Sequence, residues 1–110
     1  MSHVDTFPLP GKRIWVTGGH GFLGGHVLAE LRQRGAIILA PSERELDLLD
    51  PTVANRFIQA ERPDGIIHMA AKVGGIGANR QHPGSFFYAN MAMGLNLIEA
   101  CRVNRVEKVL

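Results

Sequence analysis

A chain of 110 residues has room for one small domain and little more. Hydrophobic residues make up 45% and charged residues 20%, an ordinary globular balance, and a formal charge of +2 with no basic run gives no reason to expect nucleic acid. The single cysteine, Cys101, excludes an intrachain disulfide framework, nothing approaches the roughly 20 apolar residues that span a bilayer, and Met1 to Pro10 lacks an apolar signal core, so the expectation is a cytoplasmic protein with no membrane or nucleic-acid partner.

Residues 1–12 read as a disordered or loosely packed lead-in, punctuated by Pro8, Pro10 and Gly11. Residues 13–110 read as one unit. Ile14, Trp15 and Val16 are strand formers. Glycines crowd the next few positions, and an apolar-periodic segment begins at Phe22. It predicts a helix to about Arg34, with Phe22, Leu23, Val27, Leu28 and Leu31 on its apolar face and Gly35 as its stop. Ala36 to Ala40 is a nearly unbroken apolar run, as in a strand covered on both faces, and Pro41 ends it.

Asp50-Pro51 predicts a helix start, an N-cap acceptor followed by proline in the first helical position. Val53, Ala54, Phe57 and Ile58 continue at helical spacing. Pro63-Asp64-Gly65 breaks the chain before a third strand, Ile66 to Ala70. A glycine-rich segment, Gly74 to Gly77, precedes a long helix opened by His82-Pro83 and reaching about Asn104. Val106 to Leu110 begins a fourth strand, inside which the sequence ends. Strands alternating with helices predict an α/β fold: the first half of a Rossmann-like, doubly wound parallel sheet with helices on its faces.

The stretch from Thr17 to Gly24 carries two overlapping spacings. Gly19, Gly21 and Gly24 give G-x-G-x-x-G; Thr17, Gly18, Gly21 and Gly24 give T-G-x-x-G-x-x-G. Between a strand and a helix, such glycines let the backbone turn sharply and approach a pyrophosphate closely. The unpaired N–H groups of the helix N-terminus then point at the negative charge. The pattern predicts a dinucleotide cradle built from Gly18, Gly19, His20, Gly21, Phe22, Leu23 and Gly24.

The end of the second strand selects the cofactor. An acid about twenty residues beyond the loop would bind a ribose 2′-hydroxyl and favour NAD. Leu39-Ala40-Pro41-Ser42 offers none, and Glu43 comes late. Ser42, Arg44 and His20 can receive a 2′-phosphate, although each alone reads equally as an exposed loop residue. Together with the missing acid they favour NADP over NAD. Asp47 can accept from an adenine amino group with Leu48 against the ring, or bond its own backbone. His68, inside an apolar strand, reads as a satisfied core residue. No spacing of His, Cys and acids suggests a metal. Ala70 and Ala71 are small enough to let a cofactor approach, and Lys72 either faces it or is solvated. No residue is assigned a catalytic role.

These residues carry a resemblance. The glycine motif, then Asp47-Leu48, then His68-Met69-Ala70-Ala71, is similar to the extended short-chain dehydrogenase/reductases. Two stretches are more particular: Ala70-Ala71-Lys72-Val73-Gly74-Gly75-Ile76 with Ala78-Asn79, and Phe87-Tyr88-x-Asn90-Met91 with Asn96-Leu97-Ile98. Both closely resemble the GDP-L-fucose synthases, NADP-dependent 3,5-epimerase/4-reductases acting on GDP-4-keto-6-deoxy-mannose. The resemblance covers nearly all of residues 12–110. It implies the cofactor-binding N-terminal part of such an enzyme, with a nucleotide sugar as the complete enzyme's substrate.

The resemblance also implies that the family's catalytic Ser, Cys, Tyr-x-x-x-Lys pair and later His lie beyond the strand begun at Val106. Tyr88 is the one tyrosine and no Tyr-x-x-x-Lys occurs, so these 110 residues alone are expected to be inactive. Ala40-Pro41-Ser42 stands where many relatives carry a basic residue. Asn90 resembles a superfamily asparagine that orders the active site, and reads equally as bonding within its own helix. The alternatives are another sugar-nucleotide epimerase or dehydratase, against which the Lys72–Ile76 run speaks, and a non-catalytic nucleotide-binding module. In the long helix, Phe86, Phe87, Met91, Met93, Leu95, Leu97 and Ile98 point in nearly every direction, so a partner helix is expected to cover its outer face, with Met91 and Met93 adapting to the contact. The resemblance implies the same, a homodimer through helix 83–104.

Overall fold

The structure, a computed structural model, describes residues 7–71 and 83–110. β1 (Arg13–Thr17) leads through α1 (Phe22–Gln33) to β2 (Ile37–Leu39). α2 (Val53–Glu61) leads to β3 (Gly65–His68), and α3 (Pro83–Asn104) to β4 (Lys108–Val109). All pairings are parallel and the sheet order is β2-β1-β3-β4. This is the Rossmann-like α/β sheet that the alternation predicts, with each element in its expected place in the chain.

β1 is a central strand, and its sequence is apolar for that reason. Successive side chains point to opposite faces. Ile14 and Val16 pack on one face with Leu28 and Leu31 of α1, joined by Phe7, Leu9, Ile38 and Ile67. Trp15 packs on the other with Ile66, with Ala54 and Ile58 of α2, and with Met93, Leu97, Ala100 and Cys101 of α3. Among the described residues, one helix therefore covers one face and two cover the other. The Trp15 and Phe57 rings meet at 4.5 Å and 45°, a contact worth about 0.5–1.5 kcal/mol beyond the area it buries. Gly35, at φ +82°, ends α1 as predicted; its left-handed conformation lets the Ala36 N–H turn back to the Leu31 carbonyl at 3.1 Å.

Several local expectations need correction. β2 is covered on both faces as expected, with Ile38 and Ala40 against one core cluster and Leu39 against the other, but only partly: Ile37 is exposed, and among the described residues the strand pairs with β1 alone. α2 begins at Val53, with Thr52 and not Asp50 at its N-cap. The Asp50 carboxylate instead accepts the N–H and O–H of Thr52, at 2.9 and 2.8 Å, closing a turn just ahead of the helix. Phe22 and Leu23 do not join the apolar face of α1, being 88% and 64% exposed in a first turn whose buried residue is Gly24. β3 stops at His68 and β4 is two residues long. Phe7 and Leu9, at the start of the described chain, pack against the α1 face. The expected Gly74–Gly77 segment and His82 lie outside the described residues.

Candidate functional site

The chain runs from β1 to β2 on one side and then crosses to β3 on the other. A parallel sheet opens a crevice outside its carboxyl edge where the strand order reverses in this way. A cleft of about 530 Å³ lies there, within the usual size of small-molecule sites. Trp15 and Thr17 of β1, the turn residues Gly18, His20 and Gly21, and Met69, Ala70 and Ala71 after β3 line it. The segment after β2 adds Pro41, Ser42, Glu43, Arg44, Leu46, Asp47 and Leu48, and α3 adds Met93.

The glycines shape this cleft in different ways. Gly18 sits at φ +73°, and a Cβ there would fall 2.7 Å from the Met69 carbonyl carbon, so only glycine lets the turn lie against the end of β3. A Cβ on Gly24 would strike the Gly18 oxygen and lie 2.7 Å from Gly19 Cα, which lets α1 start close behind the turn. Gly21 is the N-cap of α1 and supplies no side chain to cap it, leaving the first-turn amides without an intrahelical acceptor.

Thr17 joins the two strand ends. Its Oγ1 accepts the Met69 and Ala70 N–H groups at 3.0 and 3.1 Å and lies 2.7 Å from His68 Nδ1. His68 is thus a satisfied, half-buried residue as expected, and burial pushes its pKa down. His20 Nε2 lies 3.2 Å from the Ala40 carbonyl, which can only accept, so Nε2 carries the proton. Ser42 and Glu45 brace each other: the Ser42 N–H donates to Glu45 Oε1 at 3.0 Å and the Glu45 N–H to Ser42 Oγ at 3.3 Å. The first of these contacts chiefly holds the Glu45 carboxyl below its ordinary range. Arg44 is exposed at the cleft. Asp47 lines the cleft while its Oδ1 takes the Leu49 N–H at 3.0 Å, the backbone-bonding alternative. Asn96 of α3 donates to the Leu48 carbonyl at 2.9 Å and fixes that segment to the helix.

Of the residues expected from sequence, the cleft brings together Gly18, His20, Gly21, Ser42, Arg44, Asp47, Leu48, Ala70 and Ala71. Gly19 and Gly24 are buried behind the turn, and the Phe22 and Leu23 side chains face solvent. Lys72 lies outside the described residues. Sequence reasoning missed Trp15, Thr17, Pro41, Glu43, Leu46, Met69 and Met93 as lining residues. Met93 carried a signal, since it shares the i, i+4, i+7, i+8 stripe with Leu97, Ala100 and Cys101. Among the described residues no group of three or more His, Cys, Asp or Glu side chains is placed to hold a metal ion. No described helix is long and apolar enough to cross a membrane.

Sheet order, glycine turn and cleft define the class. The chain belongs to the NAD dependent epimerase/dehydratase family, whose sequence model matches residues 14–110. It is similar to GDP-L-fucose synthase of Escherichia coli K12, 40% identical over 100 residues that cover 90% of this chain and 31% of that protein. It is also similar to GDP-L-colitose synthase of Yersinia pseudotuberculosis, 38% identical over 98 residues covering 89% of this chain and 32% of that protein. Among solved structures, MlghC, a GDP-mannoheptose C4 reductase from Campylobacter jejuni with NADP bound, superposes with a TM-score of 0.83 at 26% identity, over 90% of this chain and 32% of that one. The chain spans about a third of the length of the curated relatives it matches.

Proposed function

We propose that this chain is the NADP-binding part of a sugar-nucleotide epimerase/reductase of the GDP-L-fucose synthase kind, which epimerises and reduces GDP-4-keto-6-deoxy-mannose to GDP-L-fucose. One observation carries the reading. A Cβ added at Gly21 would meet nothing nearer than the Gly18 oxygen at 3.6 Å, so the space before the α1 N-terminus is open only because no side chain fills it. Such a space, faced by uncapped amides, fits a pyrophosphate. The names of the relatives supply the substrate class.

In this reading the Gly18–Gly21 turn and the first amides of α1 hold the pyrophosphate. Ser42 and Arg44 receive a 2′-phosphate, and His20 joins them by turning its Nε2–H away from the Ala40 carbonyl; the Ser42 hydroxyl accepts from Glu45 and keeps its own proton to donate. Asp47 and Leu48 meet the adenine, and Ala70 and Ala71 form a wall small enough for close approach. NADPH, when bound, supplies a hydride for a ketone. Cys101, a buried free thiol, suits a reducing cytoplasmic setting. The test is calorimetry of NADPH and NADH with the 110-residue chain. NADPH should bind more tightly, and Gly21→Val should abolish binding while the chain keeps a cooperative melting transition, lowered only by the poorer valine N-cap. Absence of NADPH binding, or equal affinity in the variant, would overturn the reading.

The same reading includes a homodimer through α3. Tyr88, Met91, Leu95 and Ile98, with Phe87 beside them, are exposed along one side of that helix, opposite the buried Met93, Leu97, Ala100 and Cys101. A second copy of the helix suits that stripe, and Met91 would adapt to the contact, whereas Met93, expected there as well, is buried in the core.

A further inference from the structure

We infer that Thr17 and His68 form a hydroxyl–imidazole clasp that positions one wall of the cleft, and that His68 serves in it as the neutral ring with its proton on Nε2. The inference rests on the dinucleotide reading and adds to it a positioning residue that does not itself line the cleft. A threonine hydroxyl has two acceptor sites and one proton. Both acceptor sites of Thr17 Oγ1 are taken, by the Met69 N–H at 3.0 Å and the Ala70 N–H at 3.1 Å. The hydroxyl proton therefore goes to His68 Nδ1, 2.7 Å away, and Nδ1 must be a bare acceptor. The ring proton is then on Nε2. Thr17 is 4% exposed, so little solvent competes for its three bonds.

The clasp matters because of where the amides sit. Met69 and Ala70 form the wall facing Gly18, and the missing Gly18 side chain lets that wall come close. The Met69 N–H has a second acceptor in the Thr17 carbonyl at 3.0 Å, whereas among the described residues the Ala70 N–H depends on Thr17 Oγ1. His68 orients the hydroxyl so that both lone pairs face the amides. Remove the Nδ1 acceptor, and the hydroxyl must redirect its proton and release one of them.

Two measurements test this. Long-range ¹H–¹⁵N spectra of the ¹⁵N-histidine-labelled chain at neutral pH should show His68 as the Nε2–H tautomer. An Nδ1–H tautomer or a charged ring would overturn the clasp. NADPH titration of His68→Asn, which keeps an acceptor at the Nδ1 position, should give wild-type affinity, whereas His68→Leu should bind about tenfold more weakly, the effect of one lost hydrogen bond. Equal binding by His68→Leu and wild type would also overturn it. Should His68→Leu fail to fold, Thr17→Ser against Thr17→Val makes the same comparison through the hydroxyl, and equal binding by those two overturns it likewise. If the wild-type chain binds no NADPH, the dinucleotide reading fails and the tautomer alone decides the clasp.

Discussion

Gly18, Gly21 and Gly24 belong to one motif and answer to two constraints. Gly18 and Gly24 are needed by the fold, since added atoms there would meet backbone, while Gly21 faces open space. The motif was legible because backbone constraints repeat at fixed spacing. Which side chains would face the cleft was legible only in part: Ser42, Arg44 and Asp47 line it as expected, and Trp15 and Met93 were missed. Phe22 and Leu23 fit the α1 period, yet in the first turn it is Gly24 that packs inward against the glycine turn and they are left exposed. The Thr17–His68 contact joins two strands far apart in sequence, and no local pattern announces it. His68 also gives a pH dependence. Burial lowers its folded pKa below the ordinary value of about 6.5, so the unfolded chain binds the proton first. Its contribution to stability is complete above about pH 6.5 and is lost as the pH falls from there toward the depressed folded value. Melting midpoints measured across that range should fall less in His68→Asn than in wild type. Identical slopes in the two proteins would contradict this assignment.

Among the elements, α3 was the most legible in extent and the least in its facing. Its ends match the expectation, because proline opens it and a long apolar run sustains it. The periodicity alone suggested a helix apolar all round. In the fold it divides into a buried stripe, Met93, Leu97, Ala100 and Cys101, and an exposed one, with Leu95 and Ile98 each 60% exposed. The buried stripe could not be told from the other until the sheet was placed. Glutamate at Leu95 and Ile98 together should therefore leave the fold intact and give a monomer by light scattering. A wild-type chain that is already monomeric at tens of micromolar would count against the α3 contact. β2 teaches the complementary lesson. Its apolar run rightly reads as covered on both faces, since Ile38 and Leu39 pack on opposite clusters, but its place at the edge of the described sheet and the exposure of Ile37 follow only from the strand order.

For the molecule as a whole, strand–helix alternation was enough to read a parallel α/β sheet, because few arrangements can bury such a pattern. The order β2-β1-β3-β4, which creates the cleft, depends on packing between distant segments. The 110-residue chain is expected to turn over no 4-keto sugar nucleotide with NADPH, because it contains no Tyr-x-x-x-Lys pair to move the proton. Turnover above a mock purification would overturn that expectation.

The central position of β1 also governs how the sheet can assemble. Ile14 pairs with Ile38 on one side and with Gly65 on the other, and Gly65 in turn pairs with Lys108. Every pairing closes a loop that contains a helix, so no hairpin can nucleate the sheet, and loop closure costs entropy before any ladder forms. On a ribosome β1 emerges first and waits longest. α1 follows it at once and can shield Ile14 and Val16, whereas Trp15 has no lasting cover until α2 and α3 have been made. During synthesis the unprotected side of this protein is the Trp15 face, and that is where a chaperone would find something to hold.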